Sequence, residues 1–356
     1  AITLQPDAMG FLYPKVDLAK CVDCGLCDRA CPFDKPLSLI QPDFKQVAFA
    51  ARNVNSAEVA TSRSGGVFIA LSNYILDKGG VVYGAGFDTP FQVAHKRASS
   101  AKERDEFKGS KYTQSDISGI FQQVKSDLKD GKYVLFSGTP CQIAGLRSSL
   151  GRTDASRLFL IDIVCHGVSS PKVWEDYLYY LERKTGDNIV SADFRDKGKY
   201  GWDGLHRESF VFEHKGKRTF HMTFYQPFLL RPSCHKCPFT SLNRVSDITI
   251  GDLWGWEKAA PDMNDDKMGC NLVLCNTQKG LDWFMDSSKE LHQHEIDINL
   301  ALQPNLQRPT EEDPLRAKFE ADYAAHGFDY VRSHYWDSEF KTLVKRIQNK
   351  VKRIIH

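Results

Sequence analysis

Tyr133-Val134-Leu135-Phe136-Ser137-Gly138-Thr139-Pro140-Cys141 is the stretch that sets the fold. Its first four residues read as a strand, and the turn that follows leads into a short helix. Leu158 to Val164 repeats the pattern as a second apolar strand ending at Cys165, so a βα crossover recurs. Working toward the N-terminus, Ile117 to Leu128 is an amphipathic helix, and Val81-Val82-Tyr83 and Phe91-Gln92-Val93-Ala94 are strands. This alternation predicts an α/β fold. On the other side a helix runs from Ser169-Ser170-Pro171 to about Lys184. It is followed by antiparallel strands over Ile189 to Arg195, Phe210 to His214 and Thr219 to Phe224, so the middle section is α+β. Strands at Ile248-Thr249-Ile250 and Asn271 to Cys275 come next, and the tail from about Asp313 is helical.

The chain has 356 residues, with 47 Lys+Arg against 45 Asp+Glu, 42% apolar and 26% charged. This is an ordinary globular composition, and a chain of this length folds without needing a metal or disulfide. No apolar stretch approaches the ~20 residues that span a bilayer, and no signal peptide is evident. The near-neutral balance lacks the basic excess of a nucleic-acid binder, so none is expected as a partner. The ten cysteines, several at ligand spacing, fit thiolates kept reduced for metal in a cytoplasmic protein.

Cys21-x2-Cys24-x2-Cys27-x3-Cys31-Pro32 is the bacterial ferredoxin run, which points to a [4Fe-4S] cluster. A zinc knuckle or chance spacing are the alternatives. In that run the fourth cysteine serves a neighbouring cluster, so this one is a ligand short. The chain opens on Ala1-Ile2, a pair that commonly follows the first half of a two-cluster ferredoxin, so the companion motif is expected upstream of Ala1. Without it, Cys31 completes the cluster. Cys234-x2-Cys237 joins Cys141 and Cys165, which both fall at the carboxyl edge of the expected sheet, where α/β folds place ligands. Those four thiolates suit a second [4Fe-4S] cluster or a structural zinc, and spacing does not choose. Cys270 and Cys275 read as buried structural residues.

These residues resemble the coenzyme F420 hydrogenase/dehydrogenase beta-subunit family of iron-sulfur flavoproteins, which includes 7-hydroxymethyl chlorophyll a reductase. The resemblance rests on Ser64-Gly65-Gly66, Gly109-Ser110-Lys111-Tyr112, Gly138-Thr139-Pro140-Cys141-Gln142, Cys165-His166-Gly167, Cys234-x2-Cys237 and Ser246 to Asp252. It implies a bound FAD and a [4Fe-4S] cluster on Cys141, Cys165, Cys234 and Cys237. The closest likeness is to the bacterial branch with an N-terminal ferredoxin module, often associated with polysaccharide biosynthesis; F420 itself is not carried over as the donor.

Beside the resemblance, Ser64-Gly65-Gly66 opens a helix and offers backbone N–H groups to a pyrophosphate. Gly109-Ser110-Lys111-Tyr112 suits a phosphate or the N1–C2=O edge of a flavin, although Lys111 reads equally as a solvated lysine. Gly251-Asp252 is placed to hold a ribityl or substrate hydroxyl, and His166 is the candidate proton donor. Gly84-Ala85-Gly86 lacks the last glycine of a dinucleotide fingerprint. The loop Arg195 to Arg207 suits a phosphorylated sugar, and His292, His294 and Glu295 form a metal-like trio on what reads as a polar surface helix. Basic and apolar residues from Lys341 onward make an amphipathic tail capable of weak membrane-surface association.

The expected organisation is a ferredoxin-like module at 1–40, a polar linker, the two parts of a flavin-binding α/β core at 60–140 and 141–305, and a helical basic tail at 306–356. The expected function is an oxidoreductase passing electrons from reduced ferredoxin or a similar donor through [4Fe-4S] clusters and FAD to a small substrate. The alternatives are an electron-transfer subunit serving a partner oxidoreductase and a zinc-stabilised interaction module.

Overall fold

The computed structural model describes residues 1–33, 44–88, 91–202, 207–220, 226–264 and 266–336. A hairpin of β1 (Ile2–Pro6) and β2 (Leu12–Val16) opens the chain. It is followed by β3 (Val47–Asn53), β4 (Val81–Asp88), β5 (Gln92–Ala98), β6 (Val134–Gly138) and β7 (Leu158–Ile163). A separate antiparallel sheet holds β8 (Ile189–Asp193), β9 (Glu208–Phe212) and β10 (Gly216–Phe220). The chain then returns to the main sheet with β11 (Ile248–Asp252), β12 (Asn271–Cys275) and β13 (Leu291–Glu295).

The main sheet has eight strands in the order β13-β3-β12-β11-β7-β6-β4-β5. Its centre, β11-β7-β6-β4, is parallel, and both flanks are antiparallel. Central parallel strands are covered on both faces, which is why β6 and β7 are apolar at nearly every position. Val134 and Phe136 pack on one face against the helices Ile120–Lys129 and Pro140–Leu150. On the other face Leu135 meets the helices Val67–Asp77 and Gln278–Asp286. The helices Pro171–Thr185 and Arg316–Tyr335 build a second core with β8 and β9, into which Met9 and Phe11 of the opening hairpin insert.

Two expectations need correction. The segment read as a polar linker contains β3, an inner strand whose Ala48, Ala50 and Ala51 are buried between β12 and β13. Alanine carries little strand signal, and these positions need a small side chain. The surface helix expected at His292 to Glu295 is the edge strand β13, and polar, charged residues suit an exposed edge. The amphipathic tail from Lys341 and residues 203–206 of the Arg195 to Arg207 loop lie outside the described residues.

One buried ion pair crosses the functional end of this sheet. Arg244 and Asp162 are sealed from solvent with Nη2 to Oδ1 at 2.9 Å. Arg244 also donates to Thr249 Oγ1 on β11 at 3.1 Å and to the carbonyls of Phe239 and Ser241 at 2.9 and 3.2 Å. It therefore ties β7 and β11 to the loop after Cys237. Removing one member of such a pair leaves a bare buried charge. Asp162→Ala is expected to lower stability by about 3–5 kcal/mol, and adding Arg244→Met to recover part of that loss, as measured by urea denaturation.

Candidate functional site

Because β6, β7 and β11 run parallel, their carboxyl ends open on one side of the sheet. β6 passes through Thr139 into the helix Pro140–Leu150, started by a capping box in which Gln142 Oε1 accepts the Thr139 N–H at 2.9 Å. This fixes Cys141 in the first turn. Cys165 lies two residues beyond β7, and Cys234 and Cys237 sit on the short turn Pro232–Lys236 and at its end. Gly167 is required here, since a Cβ would come within 3.1 Å of the Cys234 side chain and 2.9 Å of Leu230.

The four thiols share one space. Cys165 is held well above the usual thiol range by burial and by Cys234, Cys141 and Cys237 beside it. Burial likewise pushes Cys141 up, Cys234 up to about 11 and Cys237 up to about 12. Yet each sulfur receives a backbone N–H, from Gln142, Gly167, Val168 and Phe239 respectively. Thr139 Oγ1 lies 3.1 Å from Cys141 Sγ. Left alone these thiols stay protonated, whereas amide donors and a bound cation favour thiolates. Among the described residues no three of the sulfurs lie within 4.8 Å of one another. A single tetrahedral zinc would draw them to about 3.8 Å, from Zn–S bonds of about 2.3 Å.

The N-terminal run reaches the same region. Cys21, Cys24 and Cys27 are exposed and Cys31 is half-buried. The helix Leu26–Ala30 packs on Pro140–Leu150, and Phe33 meets Phe239 edge-on with ring centroids 5.8 Å apart. Leu12 is clamped by Gln114 Oε1, which accepts its N–H at 2.8 Å, and by Arg231 Nη2, which donates to its carbonyl at 3.1 Å.

Beside Cys165 lies a cleft of about 430 Å³. Ser64 and Gly66 line it; Gly65 does not. Gly65 instead permits close packing, since a Cβ would fall 2.7 Å from Ala51 O and 3.0 Å from Asn271 N. The Ser64 hydroxyl is used internally, donating to Cys270 O at 2.6 Å. Gly66, at φ +78°, starts the helix Val67–Asp77, whose first residues line the cleft. Lys197 braces this loop by donating to Ser64 O at 3.0 Å and Met268 O at 2.8 Å, and burial pulls its pKa down to about 7.

Gly109, Ser110, Lys111 and Tyr112 also line the cleft. Lys111 is not a solvated lysine: it donates to Glu106 O at 2.8 Å and Lys108 O at 2.9 Å, and burial pulls its pKa down to about 7. Gly251 accommodates Val164, and Asp252 is engaged by Arg195 Nη1 at 2.9 Å and Trp202 Nε1 at 3.0 Å. Asp252 therefore orients Arg195 rather than standing free for a hydroxyl. His166 lies on the cleft near that pair; partial burial lowers its pKa, with Asp252 raising it and Arg195 lowering it further. Gly84, discounted as a nucleotide motif, lies in β4 and makes room for Phe107. His292 and His294 line a separate depression with Arg52 and Asp266.

Sequence reasoning missed His95, Arg63 and the role of Gln142. His95 Nδ1 is 2.8 Å from Ser115 Oγ and Nε2 is 3.0 Å from Ser137 O, so Nε2 carries the proton. Gln142 Nε2 donates to the same Ser115 Oγ at 2.9 Å, which links the cap of the Cys141 helix to the cleft wall. The capping spacing Thr139-x-x-Gln142 is visible in the sequence, but the partnership with His95 spans 42 residues of chain from His95 to Ser137 and is not.

Fold and site define an α/β redox-subunit architecture whose thiols rim a ligand cleft. Residues 131–298 match the family model for the C-terminal part of the coenzyme F420 hydrogenase/dehydrogenase beta subunit, and this part of the chain belongs to that family of oxidoreductase subunits. The matched span carries Cys141, Cys165, Cys234 and Cys237; Ser64 to Gly66 and Gly109 to Tyr112 precede it. The fold is similar to that of a chain in the F420-reducing [NiFe] hydrogenase complex from Methanosarcina barkeri. That likeness has a TM-score of 0.50 at 18% identity over 82% of this chain and 94% of the other. No curated protein matches the sequence. Among the described residues no helix is long and apolar enough to cross a membrane.

Burial pulls the His95 pKa down to about 4. Between that value and the unfolded value near 6.5 the unfolded chain binds more protons, so stability rises with pH. The contribution is complete above about pH 6.5 and lost as pH falls toward 4. His95→Gln is expected to flatten this part of the stability–pH curve by up to about 3 kcal/mol, read from urea midpoints on either side of the window.

Proposed function

We propose that this chain is an iron–sulfur flavoprotein oxidoreductase that passes electrons from a reduced ferredoxin-type donor through [4Fe-4S] clusters and FAD to a small substrate. The observation that carries this reading is the ring of Cys141, Cys165, Cys234 and Cys237 beside the cleft, each sulfur receiving a backbone N–H. The donor set suits a polynuclear cluster better than one zinc ion, because the sulfurs stand too far apart for a single small tetrahedral centre. Amide donors to sulfur are also a recognised control on cluster potential.

A cluster moves single electrons and a flavin converts them to pairs, which is the chemistry these groups supply when bound. The chain's residues do the rest. Cys21, Cys24, Cys27 and Cys31 hold the entry cluster, and the packing of Leu26–Ala30 on Pro140–Leu150 sets it beside the core thiols. Gly66 with the helix it starts, and Gly109 to Tyr112, bind the flavin, and Arg195, oriented by Asp252, faces the same cleft. His166 delivers a proton from the side of Cys165. The substrate class suggested by the family resemblance is a sugar intermediate of polysaccharide biosynthesis.

A second reading, an electron-transfer subunit for a partner oxidoreductase, draws on the exposure of Cys21, Cys24 and Cys27, where a partner could reach the cluster directly. It fits the structural neighbour's place in a hydrogenase complex. Turnover by the isolated protein favours the first reading, and stoichiometric co-purification with a second redox protein favours the other.

Anaerobically purified protein is expected to hold flavin together with iron and acid-labile sulfide for more than one cubane. Cys165→Ser should remove the core cluster signal and spare the N-terminal one, and Cys24→Ser should do the reverse. Zinc without flavin would overturn the proposal.

A further inference from the structure

The cleft wall is unbalanced in charge. Arg63, Lys108, Lys111 and Arg195 line it, against Asp252 as the one carboxylate among the described lining residues. Lys108 is neutralised by Glu58 and Asp105, and Arg195 by Asp252. Arg63 has no such partner among the described residues. Its Nη1 donates to the Arg195 carbonyl, and its Nε is sealed from solvent with no hydrogen-bond partner. Its nearest charged neighbour in effect is another guanidinium, Arg195; Asp252 and Asp193 act on it more weakly. Burial and Arg195 together pull its pKa down, so the charge is held there at a cost. Lys111 is similar, its ammonium capped by two carbonyls and no carboxylate.

A half-buried cation next to a like charge is unfavourable unless something with the opposite sign comes to it. The N-terminal end of the helix Val67–Asp77, with Gly66 at its start, adds positive potential in the same cleft. Cations of this kind, kept in a cleft against their own stability, mark a ligand site.

We propose that Arg63 anchors an oxyanion subsite in the cleft, binding a phosphate or carboxylate group of the molecule that enters it. This rests on the cleft being the ligand site of the oxidoreductase proposed above. The guanidinium presents planar paired donors that match either group. The oxyanion has two possible sources, the flavin dinucleotide's own phosphate or an acidic group on the substrate.

The test is thermal denaturation of the full chain titrated with inorganic phosphate at constant ionic strength, on flavin-free and flavin-loaded protein. Wild type is expected to show a saturable rise in Tm, and Arg63→Gln to weaken the apparent affinity at least tenfold, with Arg63→Lys retaining part of it. A response confined to flavin-free protein assigns the oxyanion to the flavin. A response that persists in flavin-loaded protein assigns it to the substrate. The proposal is overturned if phosphate gives no saturable response in either form, or an equal one in wild type and Arg63→Gln. It is also overturned if Arg63→Gln without phosphate is less stable than wild type and Arg63→Lys restores that stability, since Arg63 is then a brace for the Arg195 carbonyl. The titration needs no iron, so loss of the clusters and failure of the subsite give different results.

Discussion

Everything at the functional end of this protein depends on bringing four cysteines from three separate stretches of chain to one space, and the buried Arg244–Asp162 pair is the constraint that does it. Two of the cysteines follow strands whose places are fixed by the sheet. The other two sit on a loop with no strand of its own. Arg244 reaches from the end of that loop to β7 and β11, so the loop's position is tied to the same strands that place Cys165. Buried ion pairs stabilise little in net terms, but they fix geometry because every alternative leaves a charge bare. Here the geometry fixed is the spacing of four sulfurs, which decides between one metal ion and a larger cluster.

Around that ring, polar groups are placed for more than stability. Thr139 sits between Gln142 and the Cys141 sulfur, and Gln142 continues through Ser115 to His95 on the cleft wall. The sulfur ligand and the ligand cleft therefore share a hydrogen-bonded wall rather than an apolar one. On the other side the glycines divide their labour. Gly65 and Gly251 exist for close packing of backbone and side chain, whereas Gly66 shapes the cleft itself. A glycine-rich motif in the sequence thus mixes residues needed by the fold with residues that meet the ligand.

The parallel centre of the sheet was legible because β6 and β7 are buried on both faces and read as apolar runs at strand length. β3 and β13 were not. One is alanine-rich and the other polar, and each is a strand only because a neighbouring strand offers it hydrogen bonds. Among the site residues, the cysteines and the small-residue turns were visible from spacing. Arg63 was not, because nothing local distinguishes an arginine with a counter-ion from one without.

By itself the sequence determined the chemistry on offer: thiols at ligand spacing, helix-opening glycines and alternating strands and helices. Those follow from covalent order and local propensity. Tertiary structure alone decided which thiols face each other, that Asp252 is committed to Arg195 and Trp202, and that Lys111 and Lys197 are capped by carbonyls instead of water. The physical reason is that hydrogen bonding, burial and charge balance depend on separation in space, which the order of residues along the chain does not contain.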